Sequence, residues 1–248
     1  MSLFQVPPPT RFDLNFSIAG IRVRVHPLFW VIALLFGSAS ANLLNILMWI
    51  FVIFISILVH ELGHAFAFRR FGQDSYVVLH LMGGLTVPES VAWGDGYTNV
   101  RLTPNQNIFI SLAGPFAGFL LAIVVILAGI GLGGQFAVSV LGFIPIPVVI
   151  MPYELGVLNT VFGLFVFVNI FWGLVNLLPV FPLDGGNVAR YTLIQVDPIN
   201  GLRNSLWLSV VAGALIAIAG YMFLRSIYMA FLFGYLAFQS FQALQYRV

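Results

Sequence analysis

Long apolar runs separated by short polar breaks dominate this 248-residue chain, and in one place, residues 16–25, partial alternation replaces them. A bilayer core takes about 20 apolar residues per helix. The run from Leu28 to Leu58 is interrupted only by the small patch Gly37-Ser38-Ala39-Ser40-Ala41-Asn42. It therefore predicts a helical hairpin over 28–70, turning near 38–42 and ending at Arg69-Arg70. Further spans are predicted over 107–130, 157–178, 206–224 and 226–244. Residues 16–26 alternate around Arg22 and Arg24 and predict a strand at the membrane surface, ended by His26-Pro27. Within 71–104, β-branched and aromatic residues flank Gly83-Gly84 and predict a hairpin or looped strand pair. Residues 131–156 are apolar yet rich in Gly and Pro, which predicts a loop on or dipping into the bilayer surface.

The expected fold is an all-α polytopic membrane protein with six transmembrane helices and a small membrane-associated β-strand and hairpin element. It forms one integral-membrane domain over 1–248. Residues 1–15, with Pro7-Pro8-Pro9, are expected to be a flexible tail and not a signal peptide, because no charged segment precedes an apolar core. Residues 107–186 carry spans three and four, and residues 187–248 carry spans five and six.

Composition sharpens the picture. Sixty per cent of residues are hydrophobic and only 7% are charged, with a mean hydropathy of +1.03, so the solvent is lipid. Nothing here suits a nucleic-acid partner. With no cysteine, disulfides and thiolate metal ligands are both excluded.

The chemistry enters at His60-Glu61-Leu62-Gly63-His64. Residues four apart share one helix face, so His60 and His64 can aim ring nitrogens at one metal ion, with Glu61 beside it. This is the HExxH arrangement that binds zinc, with the Glu as base. Two unrelated helical histidines would give the same letters. The location argues against that, because these ionisable groups lie in a span otherwise uncharged from Leu28 to Leu62, where charge is costly. Gly63 reads either as a helix contact or as room for a substrate backbone.

A catalytic zinc takes three protein ligands and keeps one open position. Asp184, in Leu183-Asp184-Gly185-Gly186 after the Pro179 and Pro182 break, is the candidate third donor. As a favoured N-cap type it is also expected to begin the following helix, and the two roles are compatible. His26 and His80 are expected to be structural. An exposed strand edge near Gly83 and Gly84 is expected to offer a pairing site for an unwound peptide.

Six spans place both termini on one side of the membrane. Nine of ten Arg, including Arg22, Arg24, Arg69 and Arg70, fall on that side and only Arg225 opposite, so the termini are expected to be cytoplasmic. His64 then lies roughly 8 Å from the cytoplasmic boundary, at 1.5 Å per residue.

His60 to His64, Ala113-Gly114-Pro115, and the run from Asn176 through Pro179 and Pro182 to Asp184-Gly185-Gly186 together resemble the site-2 proteases, the intramembrane zinc metalloproteases of peptidase family M50. The likeness covers about Phe16 to Arg190. It implies one zinc per chain held by His60, His64 and Asp184, Glu61 as general base and then acid, and Asn176 as a substrate-positioning or oxyanion group. It further implies transmembrane-helix substrates in regulated intramembrane proteolysis. Gly118 and Asn187 depart from the family pattern, where Asn and Arg often stand. No stretch is long and polar enough for a PDZ or nucleotide-sensing CBS domain. A catalytically silent zinc-binding scaffold of the same fold is the alternative, and Glu61 is the residue such a scaffold would not need. A transporter would show internal repeats and a midplane site, and neither is evident.

Overall fold

A computed structural model describes residues 6–37, 42–89, 102–141, 144–152, 156–223 and 225–245. The expected turn near 38–42 falls mostly outside them, and the loop charges Asp95 and Arg101 fall outside entirely. The chain is largely helical and divides into two compact units, one of residues 1–100 and 113–173, the other of residues 101–112 and 174–248.

In the first unit β1 (Leu14–Ile18) and β2 (Ile21–Val25) form an antiparallel hairpin. The single strand expected over 16–26 is thus two strands. Ala19 and Gly20 have φ of 49° and 80°, the left-handed backbone of a tight hairpin turn. Helix α1 (Pro27–Gly37) follows, opened by His26, whose Nδ1 accepts the Leu28 N–H at 3.2 Å. Helix α2 (Leu43–Arg70) starts on Asn42, whose side chain accepts from the Leu44 N–H, and ends with Arg69 and Arg70 in its last turn. Cations there complement the carbonyl end of the helix dipole.

Strands β3 (Ser75–His80) and β4 (Gly83–Pro88) complete a four-stranded sheet of order β1-β2-β3-β4. The β2–β3 pair is parallel, and the His26 N–H donates to Leu79 O at 2.9 Å. Because β2 leads into α1 and α2 leads into β3, the helical pair leaves and returns to one face of this sheet. Ile21, Val23, Val25, Phe29, Ile57, Leu58, Val77 and Leu79 form the core between sheet and helices.

Helix α3 (Pro104–Gly131) begins in the second unit and enters the first at Ala113. It leads into β5 (Gln135–Leu141) and β6 (Ile144–Ile150), an antiparallel hairpin, where a loop was expected. Proline lacks an N–H and is tolerated on an edge strand, which is how Pro145 and Pro147 fit into β6. Helix α4 (Gly156–Asn176) returns, packing Val166 and Val168 against Val52 of α2 and Val125 of α3.

The second unit holds α5 (Asp184–Val196), α6 (Gly201–Met222) and α7 (Ile227–Gln245). Helices α6 and α7 approach closely at Gly213, where a Cβ would touch Ala237 and the Phe233 carbonyl. Small residues at such crossings let transmembrane backbones meet.

Among the described residues five helices, α2, α3, α4, α6 and α7, are long and apolar enough to cross a bilayer. The segment expected as the first of six spans is represented among the described residues by the shorter apolar helix α1. Helix α1 has 11 residues, about 16 Å at 1.5 Å per residue, roughly half a hydrocarbon core. The chain is an integral membrane protein by these helices.

Candidate metal centre

Helix α2 buries its chemistry. His60, Glu61 and His64 are 4%, 6% and 7% exposed, far less than solvated charges would be. The His60 and His64 Nε2 atoms stand 3.2 Å apart, with the rings nearly perpendicular at 78°. Two imidazole nitrogens each about 2.0–2.1 Å from a tetrahedral ion lie roughly 3.3 Å apart, so the pair is spaced as two ligands of one zinc ion. The donor chemistry agrees, since imidazole nitrogen suits zinc.

Helix α3 fixes the imidazole of His64. A Cβ on Gly114 would overlap the His64 ring, and one on Gly63 would run into the Ala113 carbonyl and the Ala117 side chain. The Ala113-Gly114-Pro115 segment is therefore a backbone surface against which α2 lies flush. One turn before His60 along α2, the Ser56 hydroxyl accepts a hydrogen bond from Asn169 Nδ2 of α4 at 2.9 Å, while the same amide nitrogen donates to Phe165 O. A Cβ on Gly118 would come within 3.4 Å of Asn169 Oδ1. The departure at Gly118 thus places the α4 amide in the space an α3 side chain would take.

Strand β4 fixes the Glu61 carboxylate. Thr86 Oγ1 lies 2.8 Å from Glu61 Oε2 and 2.9 Å from the Glu61 main-chain oxygen. Two residues earlier, on the same strand face, a Cβ on Gly84 would overlap Glu61 Cγ, Cδ and Oε1. Gly84 is glycine because the carboxylate needs that volume. Gly83 has φ of 112° and backs onto the Trp172 ring. The expected Gly83-Gly84 element therefore lies beside the Glu61 carboxylate, although both glycines open β4 and do not form the turn.

His80, which pairs with Gly83 across the β3–β4 ladder, is held below the ordinary imidazole pKa. Burial is the main cause, followed by the charges of His26 and Arg24. It is a neutral group of the sheet, as is expected of a structural histidine.

In the second unit, Asn176 is the last residue of α4 and Asp184 is the first of α5, both half-buried. The N-cap position itself belongs to Leu183, which makes no side-chain cap. Asp184 thus sits in the first turn, where a carboxylate is favoured by the helix dipole, and does not cap the helix as the sequence suggested. The glycines that follow it are forced: a Cβ on Gly185 would strike the Leu177 and Leu178 carbonyls, and one on Gly186 the backbone at Val180 and Phe181. The Phe181 N–H donates to Ser209 Oγ of α6 at 3.0 Å, and Asn187 Nδ2 donates to Pro182 O at 3.3 Å. The break and the start of α5 are thus one packed piece that presents Asp184. The sequence reading missed Thr86 and Asn169; the available signal was a lone polar residue in an otherwise apolar strand or span.

A family model described as peptidase family M50 matches residues 48–218. Zinc metalloprotease MJ0392 of Methanocaldococcus jannaschii is 26% identical over 183 residues, covering 72% of this chain and 44% of that protein. The putative zinc metalloprotease Rip3 of Mycobacterium tuberculosis is 30% identical over 189 residues, covering 70% of this chain and 41% of that protein. The chain thus spans less than half the length of these curated relatives. A solved site-2 protease from Methanocaldococcus jannaschii shares the fold with a TM-score of 0.53 at 23% identity, over 96% of each chain. With the match running from α2 to α6 and taking in the HELGH and LDGG segments, the chain belongs to peptidase family M50.

Proposed function

We propose that this protein is an intramembrane zinc endopeptidase that hydrolyses peptide bonds within or near transmembrane helices of membrane-protein substrates. The observation that carries the reading is the 3.2 Å separation of the His60 and His64 Nε2 atoms on a buried helix face, with the Glu61 carboxylate fixed beside them by Thr86. Asp184 is the third ligand in this reading. Among the other described acids, Asp13 pairs with Arg24, Glu89 with Arg22, Asp197 accepts from the N–H groups of Ile199 and Asn200, and Asp74 is exposed just before β3. Family membership supports zinc as the metal.

When bound, zinc supplies Lewis acidity toward the scissile carbonyl and lowers the pKa of water. The Glu61 carboxylate removes a proton from the attacking water as its oxygen bonds to the carbonyl carbon, then delivers that proton to the amine nitrogen as the C–N bond breaks. The His64 ring, held against Gly114 of α3, and the His60 ring beside it would keep the metal in register with the base. Asn176 positions the substrate near the reacting bond, and Gly83 and Gly84 offer it a backbone surface.

The site faces the cytoplasm in this reading. It is supported by the Arg69 guanidinium, which donates to Ala19 O at the β1–β2 turn and so joins the end of α2 to the hairpin that carries Arg22 and Arg24; clustered cations are the pattern of a cytoplasmic side. His64 precedes Arg69 by about 8 Å of helix.

Purified protein with zinc supplied, given a panel of single-span helical substrates, is expected to cleave at least one. Glu61→Gln should lose about 10²- to 10⁴-fold in rate while keeping its zinc. Equal cleavage by both proteins would sink the proposal.

A further inference from the structure

We infer that Thr86 is a positioning residue that clamps the Glu61 carboxylate in the orientation its role as base requires. The inference rests on the reading of Glu61 as the base and adds to it. Glutamate has three side-chain torsions, and a buried carboxylate with no partner would be both costly and free to rotate. Here Oε2 and the main-chain oxygen of the same residue share one hydroxyl, Thr86 Oγ1 at 2.8 and 2.9 Å. Two acceptors on one donor fix the side chain relative to its own backbone. No other hydrogen bond reaches the Glu61 side chain among the described residues, so the clamp is this single group.

Gly84 closes the other side. Its missing Cβ leaves the volume that Cγ, Cδ and Oε1 occupy, and strand alternation puts Gly84 and Thr86 on one face of β4. Oε2 is engaged by the hydroxyl, while Oε1 lies over bare glycine backbone. The carboxylate is therefore held between the Thr86 hydroxyl on one side and the Gly84 backbone on the other. The strand is anchored through the β3–β4 ladder, where Thr86 pairs with Val77, a residue fully buried in the sheet core. The position of the base is thus set by the sheet as well as by helix α2.

Thr86→Val keeps the shape and removes the hydroxyl; Thr86→Ser keeps the hydroxyl and removes the methyl. The clamp predicts that Thr86→Val lowers kcat about tenfold or more, because small losses of alignment at a reacting group are costly. KM should stay within about twofold, since substrate contacts are untouched. Thr86→Ser should recover kcat to within about threefold, both variants should keep wild-type zinc content, and Thr86→Val should lower the unfolding midpoint because it leaves the buried carboxylate without its partner. An independent readout is the infrared carboxylate band of Glu61, isolated by subtracting the spectrum of Glu61→Gln, which Thr86→Val should shift and Thr86→Ser should not. Unchanged kcat in Thr86→Val, an equal loss in Thr86→Ser, loss of zinc in Thr86→Val, or an unmoved band would each overturn the inference. Should the wild type bind zinc and cleave nothing while the band still shifts, the clamp stands and the proteolytic reading falls.

Discussion

Gly114 of α3 lies so close to the His64 imidazole of α2 that a Cβ at this position would overlap the ring. Helices α2 and α3 meet here without an intervening side chain, and the orientation of the His64 ring is set by backbone.

Gly114→Ala should therefore turn His64 away from His60. Supporting contacts around metal ligands are worth about 10- to 100-fold in affinity, and zinc competition titration should show a loss of that size. Gly163 of α4 has open space around it, so Gly163→Ala is the matched control and should bind zinc like the wild type.

The third ligand is open to a paired test. Asp184→Asn should weaken zinc by removing a charged donor, and Gly185→Ala should weaken it without touching a ligand, because its methyl would strike the Leu177 and Leu178 carbonyls. Zinc retained at wild-type affinity in Asp184→Asn would remove Asp184 from the metal set.

Ser56 and Asn169 join α2 to α4 within the apolar core. Interhelical hydrogen bonds of this kind in membranes average about 0.6 kcal/mol. Ser56→Ala should lower the unfolding midpoint in detergent slightly, since Asn169 Nδ2 keeps its bond to Phe165 O. Asn169→Leu removes both bonds and strands the Ser56 hydroxyl, and should cost more, about 1–3 kcal/mol.

His80 makes stability depend on pH in a defined direction. Its imidazole titrates below the ordinary 6.5 because of burial first and then the charges of His26 and Arg24. Between the two values the unfolded chain binds more protons than the folded one, so stability is undiminished above about pH 6.5 and declines as pH falls below it, levelling off beneath the folded value. Comparing unfolding midpoints of wild type and His80→Gln from pH 8 to 5 should show this decline in the wild type and a flatter profile in the variant.

Much of this protein is written locally. The spans of α2, α3, α4, α6 and α7 are legible because lipid demands a continuous apolar run, and composition alone reports that. The His60–His64 pair is legible because a helix repeats its face every four residues, so spacing fixes the facing of both imidazoles before any packing is known. Asp184 was legible as a carboxylate at a break between helices, and its exclusion from the N-cap position was not, because the start of α5 is set by contact between Gly185, Gly186 and the backbone at 177–181.

Tertiary structure decided what depends on partners distant in sequence. The β1–β2 turn and the β5–β6 hairpin both lie where one hydropathy signal is compatible with several backbones. The parallel pairing of β2 with β3 joins strands separated by two helices, and the register of β4 then brings Thr86 and Gly84 to Glu61, 25 and 23 residues away. Local periodicity fixes which side chains share a face; only the packed sheet and helices fix which faces meet, because that choice is made by shape and buried hydrogen bonds summed over the folded chain.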